Sequence, residues 1–75
     1  MKISVLSRTD RQGQCDPHVF HLGQRRLPVV AVIRQWAQPP HRYFSVRVED
    51  GRRFVLSYDP ANGCWELAAA LPPAV

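Results

Sequence analysis

Short apolar runs in this chain are separated by turn-forming residues, and this spacing is the strongest constraint on its fold. All four glycines fall between such runs, at positions 13, 23, 51 and 63. Glycine readily adopts the positive φ that tight hairpin turns require, so it marks the ends of strands joined by short loops. The pattern predicts an all-β fold made mainly of antiparallel hairpins.

The clearest unit is a meander over residues 43–67. Within it, Glu49-Asp50-Gly51-Arg52 predicts a two-residue type I′ turn in which Glu49 faces Arg52. Residues 59–63, Asp-Pro-Ala-Asn-Gly, predict a second turn that closes through a left-handed residue. The first register would pair Tyr43 with Tyr58, Ser45 with Leu56, Val46 with Val55 and Arg47 with Phe54.

This register assigns the side chains of the meander to two faces. If the second loop has four residues, Tyr58 pairs with Trp65, Leu56 with Leu67 and Phe54 with Ala69. The face expected to form the core then contains Tyr43, Phe54, Leu56, Tyr58, Trp65 and Leu67. The other face is half apolar and carries Phe44, Val46, Val48 and Val55 beside Arg53, Ser57 and Glu66. A slip of one residue would exchange the two faces of a strand.

The rest of the chain supplies further strands. Residues 2–6 predict a first strand, and residues 7–17 a polar loop. Residues 29–36 match a helical stripe, but four β-branched residues in five positions favour a strand paired with residues 18–22 across Gly23-Gln24. Pro39-Pro40 would end it. We expect one domain over residues 1–71, five or six strands forming a small SH3-like barrel or curved sheet, and a disordered tail at 72–75.

Composition and charge limit the class of protein. With 45% apolar and 21% charged residues the chain is expected to be globular, despite its seven prolines. The longest apolar run, residues 27–33, is too short for a membrane span, and the N-terminus lacks a signal-peptide core. We therefore expect a cytoplasmic protein without membrane contact, monomeric or weakly dimeric, in which Cys15 and Cys64 are free thiols.

Catalytic and metal-binding patterns are weak. Cys15-x-x-His18-x-x-His21 is the nearest approach to a zinc motif, but on a strand the two histidines would point to opposite faces. The carboxylates fall mostly at turns, where aspartate caps backbone amides. We expect no catalytic residues, no metal, no cofactor and no enzyme activity.

Arginine is the residue that most suggests a ligand. The formal charge of +4 reflects nine arginines and one lysine, and two predicted hairpin tips, Gln24-Arg25-Arg26 and Gly51-Arg52-Arg53, contain adjacent arginines. Arginine forks bind phosphates and stack on bases, while Trp36, Tyr43 and Phe44 could act as stacking platforms or pack in the core. Single-stranded nucleic acid is the first candidate ligand, contacted by Arg25, Arg26, Arg42, Arg47, Arg52 and Arg53. The alternative is a protein-interaction module that uses the apolar patch around Phe44, Val46, Val48 and Val55.

Residues 17–69 also resemble a known family. The pattern Phe20-x-Leu-Gly-x-Arg-Arg-Leu-x-Val-x-x-Val-Ile-x-x-Trp36 is followed by Tyr43-Phe44-x-Val-Arg-Val and by Tyr58-Asp-x-x-x-Gly-x-Trp65-x-Leu67. Together they resemble a small bacterial domain family of unknown function whose members are similar to accessory reading frames near error-prone DNA polymerase operons. The resemblance carries no catalytic residue, and it implies nucleic acid or a protein of a repair complex as the partner.

Overall fold

The computed structural model describes residues 2–9, 11 and 15–71, which form six antiparallel strands. The strands are β1 (Lys2–Thr9), β2 (Cys15–Leu22), β3 (Arg25–Gln38), β4 (His41–Val48), β5 (Arg53–Asp59) and β6 (Cys64–Leu71). Each strand pairs with the next in the chain, and β1 pairs with β6, so the sheet closes into a barrel. The prediction of a small all-β barrel is confirmed. The predicted tail at 72–75 lies outside the described residues.

Strand β3 is the longest, with 14 residues, and it belongs to two parts of the barrel. Its first residues pair with β2 from Leu22–Arg25 to Val19–Pro28, so the predicted hairpin across Gly23-Gln24 is confirmed. From Val29 onward, however, β3 pairs with β4. The expectation that residues 29–36 pair with 18–22 is therefore wrong, although residues 29–36 are in a strand as predicted. The strand ends immediately before Pro39-Pro40.

The first hairpin is longer than the sequence suggested. Strand β1 continues to Thr9 and β2 begins at Cys15, where residues 7–17 were expected to form a loop. Ser7 pairs with Pro17, and Thr9 pairs with Cys15. The β1 side of this extension is fully exposed, so its polar residues form a strand without the apolar alternation that marks a half-buried one. The turn expected around position 13 lies outside the described residues.

The core is a single cluster of large apolar side chains from five strands. The Phe20 and Phe54 rings pack edge to face with centroids 5.3 Å apart, and Phe44 lies 5.5 Å from Trp65. Such aromatic pairs add about 1 kcal/mol beyond the area that they bury. The buried members of the cluster are Phe20, Leu27, Phe44, Val46, Val48, Phe54, Leu56 and Trp65.

The β4–β5 turn has three residues rather than two, and this changes the register. The Val48 amide donates to the Arg52 carbonyl, and the Gly51 amide donates to the Val48 carbonyl, each at 3.0 Å. Gly51 completes the loop with φ at 88°. Val46 consequently pairs with Phe54 instead of Val55.

This one-residue shift corrects the predicted faces of β4. Phe44, Val46 and Val48 are buried, with exposures of 1%, 0% and 2%. Tyr43, predicted to be in the core, alternates with them and lies on the outer side. The faces predicted for β5 are correct, because Phe54 and Leu56 are buried while Arg53, Val55 and Ser57 alternate with them.

The β5–β6 hairpin follows the prediction over its first half. Tyr58 pairs with Trp65 and Leu56 with Leu67. The loop between these strands closes through Gly63, whose amide donates to the Asp59 carbonyl at 2.8 Å and whose φ is 64°. Beyond Leu56 a bulge shifts the register, so that Phe54 pairs with Ala70 rather than with Ala69.

The two faces of the sheet can be compared with the same substitution at two valines. We expect Val46→Ala to lower the free energy of unfolding by about 2 kcal/mol, because it removes two buried methyl groups and leaves a cavity. Val55→Ala, on the half-buried outer side, should cost less than half as much. Urea denaturation of both variants measures the difference. Equal losses would contradict the register described here.

The left-handed conformation of Gly51 gives a second test of the turn. Gly51→Ala should destabilise the domain by about 1 to 2 kcal/mol, because a side chain disfavours positive φ. Gly51→Asn should cost less, since asparagine tolerates this region better. Thermal unfolding followed by circular dichroism distinguishes the two variants. Wild-type stability in Gly51→Ala would contradict the three-residue loop.

Candidate nucleic-acid interface

Three rows of side chains run across the side of β3, β4 and β5 that points away from the barrel core. We call this surface the outer face. The strand registers place Trp36, Tyr43, Ser57, Glu66 and Lys2 as successive neighbours on β3, β4, β5, β6 and β1. The second row is Arg34, Ser45, Val55 and Ala69, and the third is Ala31, Arg47, Arg53 and Leu71. The outer face therefore combines two aromatic rings, three arginines and small side chains.

The aromatic pair of this face is formed by Trp36 and Tyr43. Their ring centroids are 5.5 Å apart and their planes differ by 10°, so the rings are stacked. The Arg34 guanidinium lies 5.4 Å from the Trp36 ring, within range of a cation–π contact. Both rings are half-buried, and the imidazole of His41 lies 6.4 Å from Tyr43. The stack is held by neighbouring strands, and both rings keep part of their surface exposed.

Two of the six predicted phosphate-contacting arginines lie together on the outer face. Arg47 and Arg53 are directly opposite each other on β4 and β5. Like charges in this arrangement destabilise a sheet, and an anion between them would relieve the repulsion. Neither side chain forms an ion pair with another described residue. The Arg53 Nε atom is buried and has no hydrogen-bond partner in the described part of the chain.

Two other predicted arginines, Arg25 and Arg26, line a groove between the β2–β3 and β4–β5 turns, which we call the tip groove. Its lining includes Arg25, Arg26, Glu49 and Asp50, and its volume is about 180 Å³. The Arg52 Nε atom forms an ion pair with the Asp50 carboxylate at 2.7 Å. The tip groove thus has both signs of charge, which makes it a poorer phosphate site than the outer face.

The pKa of the Asp50 carboxyl is lowered from its ordinary value of 3.8. The main cause is the hydrogen bond from the Arg52 backbone amide, which is followed by the Arg52 side chain and the charge of Arg25. At neutral pH this carboxylate therefore offsets part of the positive charge of the tip.

Arg42, the sixth predicted contact, lies away from the outer face. It pairs with Tyr58 and shares the inward side of β4 with Phe44, whose ring lies 5.8 Å from its guanidinium. Its guanidinium also donates a hydrogen bond to the Gln35 side chain at 3.4 Å. The structure therefore groups Arg47 and Arg53 with Arg34, which was not among the predicted contacts. If Pro39-Pro40 is taken as a two-residue turn, Gln38 pairs with His41 and Trp36 with Tyr43. This signal in the sequence could have located the aromatic pair and Arg34.

The side chains of the Cys15-x-x-His18-x-x-His21 pattern lie on β2. Cys15 is an exposed free thiol, and Cys64 is a half-buried free thiol. His18 and His21 are both exposed on β2. In residues 2–9, 11 and 15–71, no group of three or more His, Cys, Asp or Glu side chains could hold a metal ion.

Comparisons with protein-family models, with curated proteins and with solved structures find no match for this chain. The family resemblance of residues 17–69 therefore stays a prediction. None of the described residues belongs to a helix long and apolar enough to cross a membrane.

The stacked pair can be tested in the Trp65→Phe background, where Trp36 is the remaining tryptophan. Tyr43→Ala should increase acrylamide quenching of Trp36 fluorescence, because one face of the indole is uncovered. It should also lower the free energy of unfolding by about 1 kcal/mol, the typical contribution of an aromatic pair. Unchanged quenching in the folded variant would mean that the two rings are not in contact.

Proposed function

We propose that this barrel is a non-enzymatic accessory module that binds single-stranded nucleic acid across its outer face. The observation that carries the proposal is the position of the Trp36–Tyr43 stack on the same face as Arg34, Arg47 and Arg53. Aromatic rings that stack with bases, together with arginines that follow the backbone, are the means by which small barrels bind single strands.

The dimensions of the outer face favour a flexible strand. Arg47 follows Tyr43 by four positions along β4, which is about 14 Å at the usual rise of a strand. Bases can reach the aromatic pair only if they are unstacked, as they are in single strands and loops. The surface between the rings and the two opposed arginines carries the short side chains of Ser45 and Val55. A strand of a few nucleotides could lie across it.

The charge distribution supports the outer face over the predicted hairpin tips. At the tip groove Asp50 is ion-paired with Arg52, and Glu49 lies beside Arg25 and Arg26. A polyanion would meet these carboxylates there. On the outer face it would meet two opposed arginines and Arg34, while the carboxylates of Asp59 and Glu66 lie at the other end of this face, beside the aromatic row.

The alternative function is protein interaction through an exposed patch of Phe44, Val46, Val48 and Val55. Burial of most of these side chains disfavours it. The first three of these residues are buried in the barrel and contribute to its core. A partner could not reach them without unfolding the domain. The nucleic-acid proposal also agrees with the repair-complex context that the family resemblance implies.

Two double variants with the same change in charge test the proposal. Arg47→Ala/Arg53→Ala should weaken binding of a labelled mixed-sequence 12-mer by about tenfold in fluorescence anisotropy at low salt, because two phosphate contacts are lost. Arg25→Ala/Arg26→Ala should weaken it much less. For three phosphate contacts, log K should fall with log salt concentration with a slope of about −2. Equal effects of the two double variants, or no binding by the wild type, would contradict the proposal.

A further inference from the structure

A small cavity opens on the outer side of the barrel beside the aromatic pair, and we call it the edge pocket. It has a volume of about 70 Å³ and is lined by His41, Ser57, Asp59, Cys64 and Glu66. Ser57 is the cross-strand neighbour of Tyr43, and Glu66 is the cross-strand neighbour of Ser57. The edge pocket therefore continues the row that begins with Trp36 and Tyr43.

The two carboxylates of the edge pocket differ in what they already bind. The Asp59 Oδ1 atom accepts the Ala61 amide at 3.1 Å, and its Oδ2 atom accepts the Asn62 side-chain amide at 2.7 Å. The hydrogen bond from Asn62 is the main reason that the pKa of Asp59 is lowered. Glu66, by contrast, is exposed and has neither a hydrogen bond nor an ion pair with another described residue. Glu66 is thus the acceptor that remains available.

The two carboxylates of this pocket disfavour a phosphate and favour a hydrogen-bond donor. Two carboxylates would repel an anion, even though the protein as a whole carries a formal charge of +4. The cavity is also far below the roughly 300 Å³ of pockets that enclose a drug-sized ligand, so it can admit one edge of a ring but not a nucleotide. A base stacked beside Tyr43 presents such an edge.

On the premise of the nucleic-acid function proposed above, we propose that the edge pocket is a base-recognition subsite. It selects bases whose Watson–Crick edge carries an amino group next to an unprotonated ring nitrogen, with cytosine as the first choice. Glu66 accepts the hydrogen bond from the cytosine amino group, a pairing that carboxylates commonly make. The hydroxyl of Ser57, which lines the same pocket, donates to the adjacent ring nitrogen. Uracil presents an oxygen where cytosine has its amino group, and a carboxylate repels it.

Oligodeoxycytidine and oligodeoxyuridine form a matched pair of probes, because their bases differ only along this edge. We expect the wild-type protein to bind an 8-mer of deoxycytidine at least about fivefold more tightly than an 8-mer of deoxyuridine at pH 8, as one specific base contact provides. Fluorescence anisotropy measures both affinities. Glu66→Gln should reduce the ratio to about one, because an amide can also donate to the uracil oxygen.

The control for charge is Glu49→Gln, which removes the same charge at the opposite site, the tip groove. This variant should retain the wild-type preference for deoxycytidine. Thermal unfolding of both variants checks that they are folded, and the exposure of Glu66 and Glu49 makes a folding defect unexpected.

Each other result has a separate meaning. If the wild type binds both oligonucleotides equally, the edge pocket does not select a base, while the proposed function stands. If Glu49→Gln loses the preference as Glu66→Gln does, the effect is one of total charge and the subsite is rejected. If neither oligonucleotide binds, the proposed function and the subsite both fail.

Discussion

The arrangement of this barrel depends on the three-residue turn that Gly51 closes. Because successive side chains of a strand point to opposite faces, the length of this loop decides which alternate residues of β4 face inward. With three residues, Phe44, Val46 and Val48 enter the core and Tyr43 turns outward. With two, Tyr43 would compete for a place inside the barrel. The core and the outer aromatic surface are therefore consequences of the same loop.

The same turn also determines which arginines have a carboxylate beside them. Its Asp50 carboxylate, which accepts hydrogen bonds from Arg52, forms an ion pair with that arginine and lies close to Arg25. Positive charge is thus partly neutralised at this end of the barrel, whereas Arg47 and Arg53 keep theirs on the outer face. The surface potential follows from where the turn places its carboxylate as much as from the number of arginines. Net charge alone could not have located the favoured face.

Much of the architecture could be predicted from the sequence, whereas the site depended on register. Glycine and proline positions identified the hairpins, and the Asp59–Gly63 turn with the Tyr58–Trp65 pair was correct because its chemistry specifies one loop. Asp-Gly, in contrast, is compatible with loops of two and of three residues, and a difference of one residue moved Tyr43 across the sheet. Arg34, Trp36 and Tyr43 lie on one face because β3 pairs with β4. The residue pattern of one β-strand does not specify which strand it pairs with.

The irregularities in β3 have a further consequence. Two bulges insert one extra residue each, near Val30 and Ile33, and those two side chains are 54% and 49% exposed. Each extra residue exchanges the inward and outward positions of the strand. The inward residues Val29 and Val32 are therefore three positions apart and resemble the apolar stripe of a helix. The second bulge, between Val32 and Arg34, restores the original alternation of inward and outward side chains before Trp36. Because Trp36 keeps its face through its pairing with Tyr43, loss of either bulge alone would turn Val29 to the wrong face, whereas loss of both would keep the two ends of β3 in phase.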